Sequence, residues 1–174
     1  MPDEGPAGGS TELRRFAGDG RIPNNPELPL VIYRLALKPS KHLANDFEER
    51  FAANGWTNSW RDGIFDYHHF HSNTHEVLGV AKGEARVCFG GEQGEILELS
   101  AGDVAILPAG TGHKRQSASD DFLVVGAYPD GRDFDICRGD PAEHDRAVSR
   151  IAKVPLPKKD PIFGQSGIVF WQAR

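Results

Sequence analysis

The feature that most constrains this fold is a rhythm. From Arg61 to Pro129, short β-like runs alternate with glycine-rich turns. The runs are IFDYHHFH, HEVLGVA, EARVCF, EILEL, DVAIL, HKRQS and DFLVVGAY. The breaks fall at Ser72-Asn73, Lys82-Gly83, Gly90 to Gly94, Ala101-Gly102 and Ala109 to Gly112. Many short strands at such spacing predict an antiparallel sandwich or barrel.

The flanks read differently. Residues 1 to about 27 are rich in Gly, Pro, Asp and Asn, lack periodicity and predict a mobile arm. Residues 28–174 read as a single domain, with a core of about 61–130 and a C-terminal extension over 131–174. LPLVIYRLAL (Leu28 to Leu37) predicts a strand. A helix then follows Ser40, with Leu43, Phe47 and Phe51 on one stripe, and stops at Asn54-Gly55. Asp140, Pro141 and Glu143 open a second helix that runs to about Ala152. Pro155 and Pro157 keep the next segment extended, and IVFWQ predicts one more strand.

Bulk properties exclude some partners. A chain of 174 residues can bury a real core, and no apolar run is long enough to span a bilayer. The N-terminus has no apolar h-region of a secretory signal, and Cys88 and Cys137 form no CxxC pair, so a reducing cytoplasm is the simplest expected compartment. A formal charge of -5 without a Lys/Arg cluster argues against a nucleic-acid partner.

Within the β-region, YHHFHSNTHEV (Tyr67 to Val77) holds four of the seven histidines, with Glu76 directly after His75. Strand parity puts His69 and His71 on one face with Phe65 and Tyr67, and Ile64, Asp66, His68 and Phe70 on the other. A hairpin at Ser72-Asn73 would bring Glu76 to the two imidazoles, a good partial shell for a divalent transition metal. A further ligand must come from elsewhere, and His113 is the only isolated histidine left in the β-region.

Here the sequence resembles the cupin superfamily, as a small bacterial single-domain member. Gly63, His69-x-His71, Glu76 and Gly83 match its first motif in spacing, and Gly102, Pro108-x-Gly110 and His113 match its second. The usual Asn four residues after the last His is Ser117 here. The resemblance covers roughly residues 61–130. It implies a mainly β double-stranded β-helix, a jelly-roll barrel, with an N-terminal strand and helix and a C-terminal helical extension added. It also implies one metal held by His69, His71, Glu76 and His113, with Fe, Mn, Ni, Co and Zn all compatible.

His75 is the alternative ligand, because the family allows a shorter gap; parity and the spacing to Gly83 favour Glu76 and leave His75 outside the first ring of contacts. His68 points away by parity, and His42 and His144 fall on helices. Parity also turns Tyr67 and Arg115 inward, where they could orient a carboxylate or phosphate. The expected function is a metalloenzyme acting on a small molecule inside the barrel, with an anionic one admitted by Arg115, by dioxygenation, isomerisation or lyase chemistry. The alternative is a non-catalytic cupin that binds or senses a sugar or metabolite. Ile64 and Phe70, if outward, would offer a homodimer face; the opposing expectation is that the added helices cover them.

Overall fold

Runs such as EVLGVA and VAIL lack the polar–apolar alternation of a strand with one wet face, and in the structure both their faces are covered. The computed structural model describes residues 9–165 and 167–172. Its strands are β1 (Thr11–Arg14), β2 (Leu30–Tyr33), β3 (Trp56–Asp62), β4 (Glu76–Lys82), β5 (Glu84–Phe89), β6 (Glu95–Ser100), β7 (Val104–Leu107), β8 (His113–Ala118) and β9 (Leu123–Pro129). Helix α1 (Leu43–Ala53) lies between β2 and β3, and α2 (His144–Lys153) follows β9. The strands form an antiparallel six-stranded sheet, β1-β2-β7-β4-β9-β3, facing a three-stranded sheet, β6-β5-β8. This is the jelly-roll architecture of a double-stranded β-helix.

The larger sheet separates two cores. Its inner face carries Leu30, Ile32, Leu78, Val80, Ala105 and Val124 against Val87, Phe89, Leu97 and Leu99 of the smaller sheet. Its outer face carries Val31, Val77, Ile106, Val125 and Ala127 against Phe47 and Phe51 of α1 and Trp171 near the C-terminus. Gly79 lets α1 dock, since a Cβ there would sit 2.8 Å from the Phe47 ring. Leu43, Phe47 and Phe51 are buried as their spacing predicts, and Gly55 ends the helix at a φ of +82°.

Several expectations change. The predicted arm contains β1, paired with β2 from Thr11↔Tyr33 to Arg14↔Leu30, and beyond it Ile22 and Asn24 are buried. Residues 1–8 of that arm lie outside the described residues. IVFWQ is not a strand. Gly167 has positive φ, and Val169–Trp171 form a single 3-10 turn whose Trp171 indole donates to the Pro29 carbonyl at 2.8 Å. IFDYHHFH is not a regular strand either. His69 bridges to His113, whereas Phe70 bridges in the other direction to Cys137, so the segment threads between two neighbours one residue at a time. Parity therefore fails for Ile64, which is 5% exposed and joins the inner core. Phe70 does face away from the barrel, but Ala147 and Ile151 of α2 cover it. The two side chains expected as a dimer face are buried within one chain.

Candidate metal centre

The backbones of His69 and His113 exchange hydrogen bonds at 3.2 and 2.9 Å. That pairing puts both side chains on one side, with ring centroids 3.9 Å apart. His71, two residues further along, lies with its centroid 5.5 Å from that of His113. One ring nitrogen from each of the three lies within 4.8 Å of the others, so this buried group could hold a metal ion. Glu76 opens β4 on the facing sheet and reaches the group across the barrel, where the sequence predicted a hairpin. Its Oε1 lies 3.3 Å from His71 Nε2 and 3.4 Å from His113 Nε2.

Backbone carbonyls orient all three rings. Nδ1 of His69 meets the Tyr67 carbonyl at 3.0 Å, Nδ1 of His71 that of Asp135 at 2.5 Å, and Nδ1 of His113 that of Thr111 at 3.1 Å. A carbonyl only accepts, so each Nδ1 carries a proton and donates it, which leaves Nε2 as the atom each ring can offer to an ion. Glu76 Oε2 accepts from the Tyr128 hydroxyl at 2.8 Å, whereas Oε1 is buried without a well-formed hydrogen bond. Burial drives the His69 imidazole down to about 2, and the neighbouring His113 adds to the shift. Burial would also lower His71, but the Glu76 carboxylate beside it holds it above its ordinary value. Burial would raise Glu76; His71 and His113 outweigh it and keep the carboxyl below the usual range.

The group forms the floor of a cavity of about 330 Å³. Its walls include residues that motif reasoning missed. Tyr128 is one, and its hydroxyl also accepts from the Trp60 indole N–H at 2.8 Å. Parity along DFLVVGAY would have paired it with Glu76, since Val77 faces Ala127 across the ladder. Phe134 is another, stacked on Tyr128 at 4.7 Å. Asp135, beside it, supplies the carbonyl for His71, and its carboxylate accepts from the Ser72 hydroxyl and from the Ser72 N–H at 2.7 Å. Arg150 of α2 donates to Ser72 Oγ at 2.7 Å. No local signal marks these last residues, because they meet across 60 or more positions of chain.

The remaining expected residues lie outside the cavity lining. His75 is buried, its Nδ1 accepts from the Ala109 N–H at 2.9 Å, and its Nε2 meets the Pro155 carbonyl at 3.2 Å. Its ring packs on Trp171 at 4.8 Å, so both nitrogens are occupied on the far side of the strand. Tyr67 stacks on Phe65 at 4.9 Å, and the Arg138 guanidinium lies over its ring at 3.7 Å. Arg115 keeps its inward register opposite Val87, but its half-exposed guanidinium turns to Asp66 at 3.8 Å. His68 is half-buried, and His42 and His144 lie at the starts of α1 and α2.

Residues 62–125 match the cupin domain family. The protein YjlB of Bacillus subtilis (strain 168) is 48% identical over 155 residues, which cover 89% of this chain and 92% of that protein. Among solved structures, a conserved protein with a double-stranded beta-helix domain from Klebsiella pneumoniae aligns at 18% identity and a TM-score of 0.37. That match covers 66% of this chain and 74% of the other. Acireductone dioxygenase from Bacillus anthracis, with a cadmium ion in its active center, aligns at 19% identity and a TM-score of 0.35. There the match covers 55% of this chain and 59% of the enzyme. With both motifs spaced as the sequence predicts and a relative matched along nearly its whole length, the chain belongs to the cupin family.

Proposed function

We propose that this cupin is a metalloenzyme that holds one divalent transition ion through His69, His71, His113 and Glu76 and acts on a small molecule in the cavity above them. One observation carries the reading. Three imidazoles, each fixed through Nδ1, cluster with one ring nitrogen apiece within 4.8 Å of one another, and two of them turn Nε2 toward a buried carboxylate oxygen that has no well-formed hydrogen bond. A buried anionic acceptor without a donor is costly, and a cation among the four groups removes that cost. Three neutral nitrogens and one carboxylate suit Fe, Mn, Ni, Co or Zn. Bound there, such an ion would supply Lewis-acid or redox chemistry.

The chain's own residues perform the positioning. The carbonyls of Tyr67, Asp135 and Thr111 select the tautomer that leaves Nε2 unprotonated. Tyr128 occupies Oε2 of Glu76 and so presents Oε1. Leu78 and Ile64 exclude water from the floor. The test is equilibrium dialysis of chelator-treated protein against each of the five ions, followed by elemental analysis. The expected result is one ion per chain for at least one metal, with occupancy reduced in Glu76→Gln. Wild-type protein that stays metal-free with all five would refute the proposal.

A further inference from the structure

We propose that the molecule taken by this cavity is an uncharged, flat, apolar body about two rings in size, with an oxygen donor at the end that meets the histidines. The inference rests on the metal reading above and adds the chemical class of the ligand. Size is the first argument. An apolar cavity of about 150 Å³ holds benzene, so a cavity of about 330 Å³ admits a body of roughly two rings.

The walls are the second argument. Leu78 and Ile64 line the depth of the cavity, and the Trp60 indole lies along one side. Gly126 makes room for that indole, because a Cβ there would sit 2.3 Å from two of its ring carbons. At the mouth, Phe65 meets His69 at 5.1 Å and Phe134 meets His71 at 5.3 Å. These two rings are 46% and 37% exposed. Exposed aromatic rings flanking a ligand cluster are apolar surface that a flat apolar molecule would cover.

The third argument is the state of the polar groups. The Trp60 N–H is given to Tyr128, and the Tyr128 hydroxyl proton to Glu76. The Arg61 guanidinium, the one cation lining the cavity among the described residues, donates to Asn45 Oδ1 and Glu48 Oε1, both at 2.6 Å. Arg115 is turned away to Asp66. Beyond the ion itself, whose charge Glu76 partly balances, an anion entering here would give up water and find each nearby guanidinium already paired with a carboxylate, with Asp62 also in the lining. A neutral body loses little water and meets aromatic faces. Among the lining residues the buried polar atom without a partner is Glu76 Oε1, at the floor, so the ligand's donor oxygen belongs at that end.

Two pairs of probes test the idea on the full chain, with tryptophan fluorescence as the readout and zinc content measured in every sample. On zinc-loaded protein, 2,3-dihydroxynaphthalene should bind at least tenfold tighter than oxalate. On metal-free protein, 2-naphthol should bind at least tenfold tighter than 2-naphthoate, which differs chiefly in charge. The second pair judges the ligand class even if the chain takes up no zinc, in which case the metal reading alone fails. Trp60→Phe should remove the fluorescence change, and Phe134→Ala should weaken 2-naphthol about tenfold. Equal or tighter binding of the anion in the metal-free pair overturns the proposal, as does a fluorescence change that survives in Trp60→Phe.

Discussion

Replacing Tyr128 by Phe removes one oxygen from between two partners and changes no other atom of the ring. In the native protein that oxygen donates to Glu76 Oε2 and accepts from Trp60 Nε1, both at 2.8 Å. Glu76 is 2% exposed and Tyr128 fully buried, so the variant leaves Oε2 without its donor at a largely desolvated position. A hydrogen bond to a charged group contributes about 1.5–3 kcal/mol. The second bond adds less than about 1 kcal/mol, because the half-buried Trp60 can turn its N–H toward solvent. The expected loss in chelator-treated protein is therefore about 2–3 kcal/mol. For a chain of this size that corresponds to a fall of roughly 4–12 °C in Tm. Metal affinity should also drop, by about 10–100-fold, as expected when a ligand loses the group that orients it. Urea unfolding in chelator and a competitive metal titration measure the two effects. Tyr33→Phe is the control: its hydroxyl donates to the buried Asp160 at 2.5 Å, on the outer face of the sheet, so stability should fall while metal affinity holds. A Tyr128→Phe protein within about 0.5 kcal/mol of wild type, with unchanged metal affinity, would refute the reasoning.

Three further outcomes follow from the same structure. His71→Ala should abolish the thermal stabilisation that added metal gives to wild type, whereas His75→Ala should destabilise the fold by about 2 kcal/mol or more and retain that stabilisation; the opposite pattern would exchange the two roles. Gly126→Ala places a Cβ 2.3 Å from the Trp60 indole and should cost about 1–3 kcal/mol, read from denaturant midpoints; a neutral result would mean that the indole moves freely. Burial holds the Asp160 carboxyl above its ordinary 3.8, so the native state binds this proton more tightly than the unfolded chain. Its contribution to stability is full below pH 3.8 and is lost as pH rises through the native pKa, so the stability advantage of wild type over Asp160→Asn should shrink across that window; an advantage that grows with pH contradicts the sign.

The barrel was legible because its turns need glycine. Gly83, Gly102 and Gly110 all take positive φ, and their spacing marks the strand ends. The imidazole group was legible because the residues that carry it recur at fixed distances from those turns. What the sequence concealed was how the group is assembled. Parity presumed a regular strand through Ile64 to His71, but that segment changes partner between His69 and Phe70. Parity placed Arg115 in the correct register and could say nothing of where a long side chain would end, which is at Asp66. β1 is four residues long, too short for periodicity to register, and its pairing with β2 depends on the intervening chain folding back. Asp135 and Arg150 act through contacts that leave no pattern in neighbouring positions.

The carbonyl grip on His71 also bears on the order in which the chain matures. Its acceptor lies 64 positions downstream, and the segment that bears it is pinned through Ser72 by Arg150, 78 positions downstream. During synthesis all four side chains of the proposed cage precede both partners, His113 by only 22 positions and the other three by about 60. A nascent chain stopped short of Asp135 would carry every proposed donor and still leave one ring free to rotate. Under the proposed metal reading, the rigid donor set is complete only once α2 has docked, and an ion captured earlier would meet a looser set of donors.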